Sequence, residues 1–435
     1  MATKGAVRCK SDPTHEHFDT HRGKCKCGSQ LQQACPKCGK HKSYAHFKAH
    51  EVKCESTLPL PPPLPLLLLP RPVIRFAYWA SNWELNTVRN KAAFRVPPRG
   101  QLWEGLPVGV PQQKHKFRVH TVKEASVRGM QWMDTYDAIF ASIAADTESF
   151  ELVRVYHSWA EVLIALEHPS EAFTGLDVLV LGDWVHQVTT TNDDALPLDW
   201  LERLRMVELQ TGCRMFPPLD YCFTFARKEL VQRLIERCAL PPACKPIPTM
   251  TVLNGKWGEA LDKFVQGHPK VVLKRSISEA CKHVRVMKTS RASTFAFGAL
   301  PWLVQPVMAE FEQHNELRLY IVKGRFLWGV SSSFREGNEE MLSLFPFAPG
   351  RMGSDWNLEA IQVAESLVAA LAQHQVHAAR FLRIDMVRCN SDGGGSWYIN
   401  ELEFFGNTHL HLDVADDAHK IFPVLVEHVK EWMRV

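Results

Sequence analysis

From residue 73 onward, short continuous apolar runs alternate with longer segments of helical spacing. VIRFAYWA (73–80) and LDVLVLGDW (176–184) read as buried strands, because their apolar residues follow one another almost without interruption. Between them, SWAEVLIALEH (158–168) repeats its apolar positions every three or four residues and reads as a helix. Strand, helix and strand in that order predict a βαβ layer. WLERLRMVELQTG (200–212) is a further predicted helix, stopped by Gly212. ARKELVQRLIERC (226–238) is another, followed by the breaks Pro246 and Pro248. PKVVLKRS (269–276) and WLVQPVMAEF (302–311) read as apolar strands. NELRLYIVKGRFLWGVSSSF (315–334) reads as a hairpin turning at Lys323-Gly324. FLRIDMVRC (381–389) and WYINELEFFG (397–406), joined by NSDGGGS, read as a second hairpin. No internal repeat is visible, and residues 73–435 read as one large α/β unit.

Two different segments precede that unit. Residues 57–72, TLPLPPPLPLLLLPRP, carry seven prolines and predict an extended, semi-rigid linker, with docking of a proline-reading partner as an alternative use. Residues 1–56 are rich in Cys, His and Lys. The formal net charge of +4 belongs to them: they hold eleven Lys and Arg against five Asp and Glu. Such an excess points either to nucleic acid or to thiolates that cancel it on a metal.

The chain of 435 residues is 46% hydrophobic and 23% charged, which excludes a wholly disordered chain and a fibrous rod. No run of 18 apolar residues is present, so no membrane-spanning helix is expected. The first residues lack the apolar core of a secretory signal, and an intracellular location, cytoplasmic or nuclear, is expected.

Six of the 12 cysteines fall within the first 54 residues, with six histidines beside them. In an intracellular chain that clustering suggests zinc rather than disulfides. Cys35-x2-Cys38-x11-His50-x3-Cys54 is the sharpest pattern. SYAHFKAHEVKC (43–54) predicts a short helix with His50 and Cys54 one turn apart, closing a structural Cys-Cys-His-Cys site. Cys9, His21, Cys25 and Cys27 could close a second zinc site. No open ligand position is evident, so such a module would bind protein, bind nucleic acid or cap a domain.

The C-terminal hairpin carries the other chemistry. A turn centred on Gly393 sets Asp385 opposite Glu401; one centred on Gly394 sets it opposite Glu403. Strict alternation places Trp397, Ile399, Glu401 and Glu403 on one face. Either register brings carboxylates on adjacent strands to roughly 5 Å. Acidic residues on half-buried strands need a cation, and oxygen-only ligands suit Mg²⁺. Upstream, Lys274 on an otherwise apolar strand is best explained by a phosphate facing its ammonium group.

The order of these pieces resembles the ATP-grasp superfamily over roughly 215–412. Pro217-Pro218, the helix carrying Lys228, and Pro248-Thr249 look like its opening segment. Lys274 matches its phosphate-contacting lysine, and LVQPVM its hinge strand, with Gln305 and Val307 at the adenine contacts. Glu316-Leu317-Arg318 is similar to the following Glu-x-Arg strand. Arg383-x-Asp385 and Glu401-x-Glu403 resemble its Arg-x-Asp and Glu-x-Asn signature. The resemblance implies a Rossmann-like domain over 73–214 and a two-subdomain nucleotide-binding domain over 215–435. It also implies ATP, with Lys228 and Lys274 on phosphates, Asp385, Glu401 and Glu403 on Mg²⁺, and Arg383 as the catalytic cation. The implied reaction activates a carboxylate, on a small molecule or a peptide, as an acyl phosphate for attack by an amine or similar nucleophile. Phosphoryl transfer to a hydroxyl is a related outcome.

Two departures stand out. SISEACKHVRVMKTSRAST has no glycine where the family often has a Gly-rich loop, leaving Ser276, Ser278, Lys282 and His283 for that role. Glu403 stands where Asn is usual, with Asn400 or Asn407 to provide the amide. They motivate a second reading: a non-catalytic protein whose zinc module does the work and whose α/β unit is a degenerate platform.

Overall fold

The structure is a computed structural model. It describes the backbone of four short strands within residues 7–43, and residues 73–80, 120–121, 131–132, 135–182, 196–253, 257–277, 284–298, 300–308, 316–334, 342–347, 356–389, 395–406, 408, 410–412, 415 and 417–435. The chain divides into two compact units, Met1–Arg71 and Pro72–Val435. In the first, β1 (Val7–Cys9), β2 (Glu16–His17), β3 (Leu31–Ala34) and β4 (His41–Ser43) pair antiparallel in the order β2-β1-β3-β4. Ser43, the first residue of the helix expected over 43–54, belongs to β4 instead. The rest of that helix, the expected ligands His21, Cys25, Cys27, Cys35, Cys38, His50 and Cys54, and the side chain of Cys9 lie outside the described residues.

The second unit opens with a parallel sheet. β5 (Ile74–Trp79), β8 (Phe150–Tyr156), β9 (Val178–Leu181) and β10 (Arg214–Phe216) lie in the order β10-β9-β5-β8; β6 (His120–Thr121) and β7 (Gln131–Trp132) form a separate pair. The central strands β5 and β9 are the two continuous apolar runs, as parallel strands covered on both faces require. The helix between them, Trp159–Glu167, is capped by Ser158, whose hydroxyl accepts from the Glu161 N–H at 3.2 Å, while the Glu161 carboxylate accepts from the His157 N–H at 3.1 Å. Two neighbouring elements escape the sequence pattern. Helix Thr135–Ala145 is buried from Tyr136 to Ala144, so it shows no amphipathic stripe. The edge strand β8 mixes exposed Glu151 and Val153 with buried Phe150 and Leu152.

Two antiparallel-rich sheets follow. β12 (Met250–Val252), β13 (Lys270–Arg275), β14 (Val284–Lys288) and β15 (Trp302–Pro306) run in the order β12-β15-β13-β14. β14 falls inside the segment read as a loop; it is an edge strand with exposed Arg285 and Val286, so its pattern is weak. β11 (Cys244–Pro246), β16 (Glu316–Val322), β17 (Arg325–Phe334), β18 (Leu342–Pro346), β19 (Phe381–Cys389) and β20 (Ser396–Glu403) form the order β11-β20-β19-β16-β17-β18. The β16–β17 turn is Lys323-Gly324, with φ of 53° and 72°, the left-handed pair a two-residue hairpin favours. One apolar core runs through the parallel and six-stranded sheets; the four-stranded sheet has its own small core of Val271, Leu273, Val304 and neighbours. No helix of the described residues is long and apolar enough to cross a membrane.

Helix Ala418–Met433 closes the main core and buries His428, 1% exposed, beside Trp432. Burial, with the Lys323 charge adding to it, lowers the His428 imidazole to about 4. The unfolded chain takes up that proton near the ordinary value of about 6.5, so between the two the unfolded state binds more protons. The stabilising contribution is complete above pH ~6.5 and is lost as pH falls toward ~4, on the order of 3 kcal/mol. Melts across that window are expected to show a shallower acid loss for His428→Leu than for the wild type. Superimposable slopes would dismiss the residue as a source of acid sensitivity.

Candidate functional site

Three neighbouring strands at the centre of the six-stranded sheet bring most of the expected residues together. β16 and β19 set Arg318 opposite Asp385; β19 and β20 set Arg383 opposite Glu403 and Asp385 opposite Glu401. Of the two registers open to the sequence, this is the one with Asp385 against Glu401. The ladder then slips: Asp385 pairs with Glu401 but Met386 pairs with Ile399, so Asn400 is an extra residue in a bulge. That corrects the strict alternation expected for β20. Trp397 and Ile399 join the core with Leu402, while Asn400 turns into the site beside Glu401.

The cluster interleaves four carboxylates and four cations. Arg383, 3% exposed, grips Asp385 with both ends of its fork, Nε to Oδ1 at 2.7 Å and Nη2 to Oδ2 at 2.6 Å. Its Nη1 reaches Glu403 at 2.7 Å and donates to the Thr408 hydroxyl at 2.6 Å. Glu316, 2% exposed, accepts from Asn400 Nδ2 at 2.5 Å, Ser332 Oγ at 3.2 Å and the Arg318 guanidinium at 3.3 Å. Lys228, the first residue of helix Lys228–Arg237, donates to Glu401 at 2.5 Å; Lys274, from β13, donates to Asn400 Oδ1 at 2.8 Å. Two lysines from separate elements thus end on adjacent residues of one strand.

The electrostatics follow from burial and neighbours. Burial lowers the Lys274 ammonium, with Lys228 adding to that and Glu401 opposing it. Burial pushes the Glu401 carboxyl up, but Lys228 and Lys274 outweigh it and hold it near 2. Burial pushes Glu403 up to about 8, because the Arg383 charge is offset by Glu401 and Asp385. Burial and Asp385 likewise raise Glu316.

Not every expected residue joins this cluster. Gln305 is buried on β15 and donates from Nε2 to the Thr249 hydroxyl at 2.9 Å. The Val307 N–H donates to the Lys270 carbonyl at 3.2 Å. Ser276 is buried and bonded to Glu229, whereas Ser278, Lys282, His283 and Asn407 lie outside the described residues. As a site for Mg²⁺, Asp385, Glu401 and Glu403 offer the oxygen-only donors a hard cation takes. Among the described residues, though, no three acidic, His or Cys side chains are placed to hold one ion, and each of these carboxylates faces a cation. Thr408, Ser332 and Glu229 were invisible to sequence reasoning, since their roles come from loops and strands distant in the chain. Asn400 had a signal, an amide next to Glu401 in an apolar strand, but its orientation depends on the bulge.

No family model matches the chain, and no curated protein matches it. Among solved structures, D-cycloserine synthetase DcsG is 18% identical, with a TM-score of 0.45 over 59% of this chain and 84% of its own. D-alanine–D-alanine ligase from Bacillus anthracis is 11% identical, with a TM-score of 0.46 over 83% and 98%. The ATP-grasp ligase PsnB, complexed with minimal precursor, Mg and ADP, is 10% identical, with a TM-score of 0.40 over 82% and 97%. All three scores lie under 0.5.

Proposed function

We propose that residues 215–435 form an ATP-grasp-type nucleotide-binding domain, preceded by the Rossmann-like layer, and that the chain is an ATP- and Mg-dependent ligase. The observation that carries this is the convergence of Lys228, Lys274, Arg383, Asp385 and Glu401, from a helix and three strands in two sheets, into one cluster. Sheet formation alone does not require eight ionisable groups to meet at the face of a core.

ATP and a carboxylate, on a small molecule or a peptide, would be the substrates. A carboxylate oxygen attacks the γ-phosphorus and ADP leaves, giving an acyl phosphate. An amine or similar nucleophile then attacks its carbonyl carbon, and the C–O bond to phosphate breaks. Lys228 and Lys274 would turn from Glu401 and Asn400 to the phosphates. Asp385, Glu401 and Glu403 would hold Mg²⁺, which when bound neutralises charge on the phosphates. Arg383 would neutralise charge developing on the transferred group or on the tetrahedral carbon. Glu316 and Arg318 line the same cluster, and Gln305 with Val307 marks the adenine side.

The basic partners already on Asp385, Glu401 and Glu403 favour the second reading, a platform without turnover. ADP release with Mg-ATP and a pool of amino acids and peptides separates the two. The ligase reading expects release that depends on the added acceptors; no release, with Mg-ATP bound, would leave the platform.

For residues 1–56 we infer a zinc module on Cys35, Cys38, His50 and Cys54, with Cys9, His21, Cys25 and Cys27 as the second set. It would offer a surface to a protein or nucleic-acid partner. The purified protein should contain about one or two zinc ions per chain, because such small modules fold around their metal. Under about half an equivalent, with thiols intact, would refute it.

A further inference from the structure

The two lysine-bearing segments are joined by a buried polar clamp that the reaction does not by itself require. Lys228 lies between Arg227 and Glu229 at the start of its helix, and Lys274 lies two residues before Ser276, which follows the end of β13. Glu229 is 1% exposed and Ser276 0%. The Ser276 hydroxyl donates to Glu229 Oε2, and Glu229 Oε1 accepts from Arg227 Nε at 2.7 Å. The Lys228 N–H donates to the Ser276 carbonyl at 3.1 Å, and the Ser276 N–H donates to the Pro301 carbonyl at 2.8 Å. Every polar group of Ser276 is therefore spent on tying the end of β13 to the helix start and to the approach of β15.

A buried carboxylate is a costly way to hold a helix against a sheet, since an aliphatic contact would pack there without desolvating a charge. What it adds is direction. Lysine stems are long and flexible, so two ammonium groups are held relative to each other only as well as the backbones beneath them. Here both ammonium groups reach adjacent residues, Glu401 and Asn400, from opposite sides of the clamp.

We propose that Glu229, acting through Ser276, is a positioning residue for the triphosphate: the clamp fixes the separation of Lys228 and Lys274 at the start of a segment that has no glycine to wrap phosphate. This rests on the reading of the two lysines as phosphate-binding. Affinities of the full chain for ATP and for adenosine, measured by displacement of a fluorescent ATP analogue, test it. Glu229→Gln and Ser276→Ala should each bind ATP about tenfold more weakly with adenosine affinity unchanged, a split that general destabilisation does not produce. The double variant should lose no more than either single one, because both break the same link. Folded single variants with the wild-type ATP-to-adenosine ratio, or a double loss equal to the product of the single ones, overturn the clamp. Should Glu229→Gln not fold, Ser276→Ala decides alone, since it leaves Arg227 and Glu229 paired. A wild type that does not prefer ATP to adenosine overturns the phosphate reading itself, a result distinct from unchanged variants of a protein that does.

Discussion

Asp385→Asn is expected to abolish ATP-dependent turnover and to lower stability by about 3–5 kcal/mol, the cost of stripping one partner from a buried ion pair. Asp385 is 2% exposed and accepts both arms of Arg383, which has Glu403 and Thr408 as further contacts. An amide can accept one of those hydrogen bonds but turns donors toward the other arm, and it leaves the guanidinium short of negative charge. The same change removes a donor from the proposed ion site. Glu401→Gln should also stop turnover, at a smaller cost of about 1–2 kcal/mol. The Lys228–Glu401 pair is wetter, with side chains 16% and 24% exposed. Denaturant unfolding and ADP release, measured on both variants, separate fold from chemistry. An Asp385→Asn protein within about 1 kcal/mol of wild type would mean that Arg383 and Asp385 are not the buried pair described. Retained turnover in both would remove them from the reaction.

Lys274→Met should weaken ATP binding about 10–150-fold while leaving the fold intact or slightly firmer. A charged hydrogen bond to phosphate is worth about 1.5–3 kcal/mol. Methionine keeps the apolar stem on β13 and removes only the ammonium. Burial already disfavours that charge, so its removal relieves a desolvation penalty against the loss of one hydrogen bond to Asn400. Nucleotide affinity and thermal melts of the same preparation check both halves. Unchanged ATP affinity would refute the assignment of Lys274; a large loss of stability with it would make Lys274 a structural cation instead.

Continuous apolar runs fixed the central strands β5 and β9, and the Lys323-Gly324 pair fixed its hairpin, because both signals are local. The candidate residues Lys274, Arg383, Asp385 and Glu401 were legible for a related reason: charge on an otherwise apolar strand stands out without any partner being known. Helix Thr135–Ala145, buried all round, and β14, an exposed edge, carry no periodic contrast and so could not be read. The tertiary structure decided what depends on pairing. The bulge at Asn400 turned an amide into the site and sent Trp397 and Ile399 to the core, since one extra residue reverses a strand's two faces. It also gave Glu401 a lysine from a helix and Glu403 an arginine from the neighbouring strand, and joined Glu229 to Ser276 across 47 residues of chain. The i,i+2 pairs Arg383–Asp385 and Glu316–Arg318 follow from strand alternation, but the meetings of Lys228 with Glu401 and of Arg383 with Glu403 are set by strand register and by distance in space, which the spacing along the chain does not record.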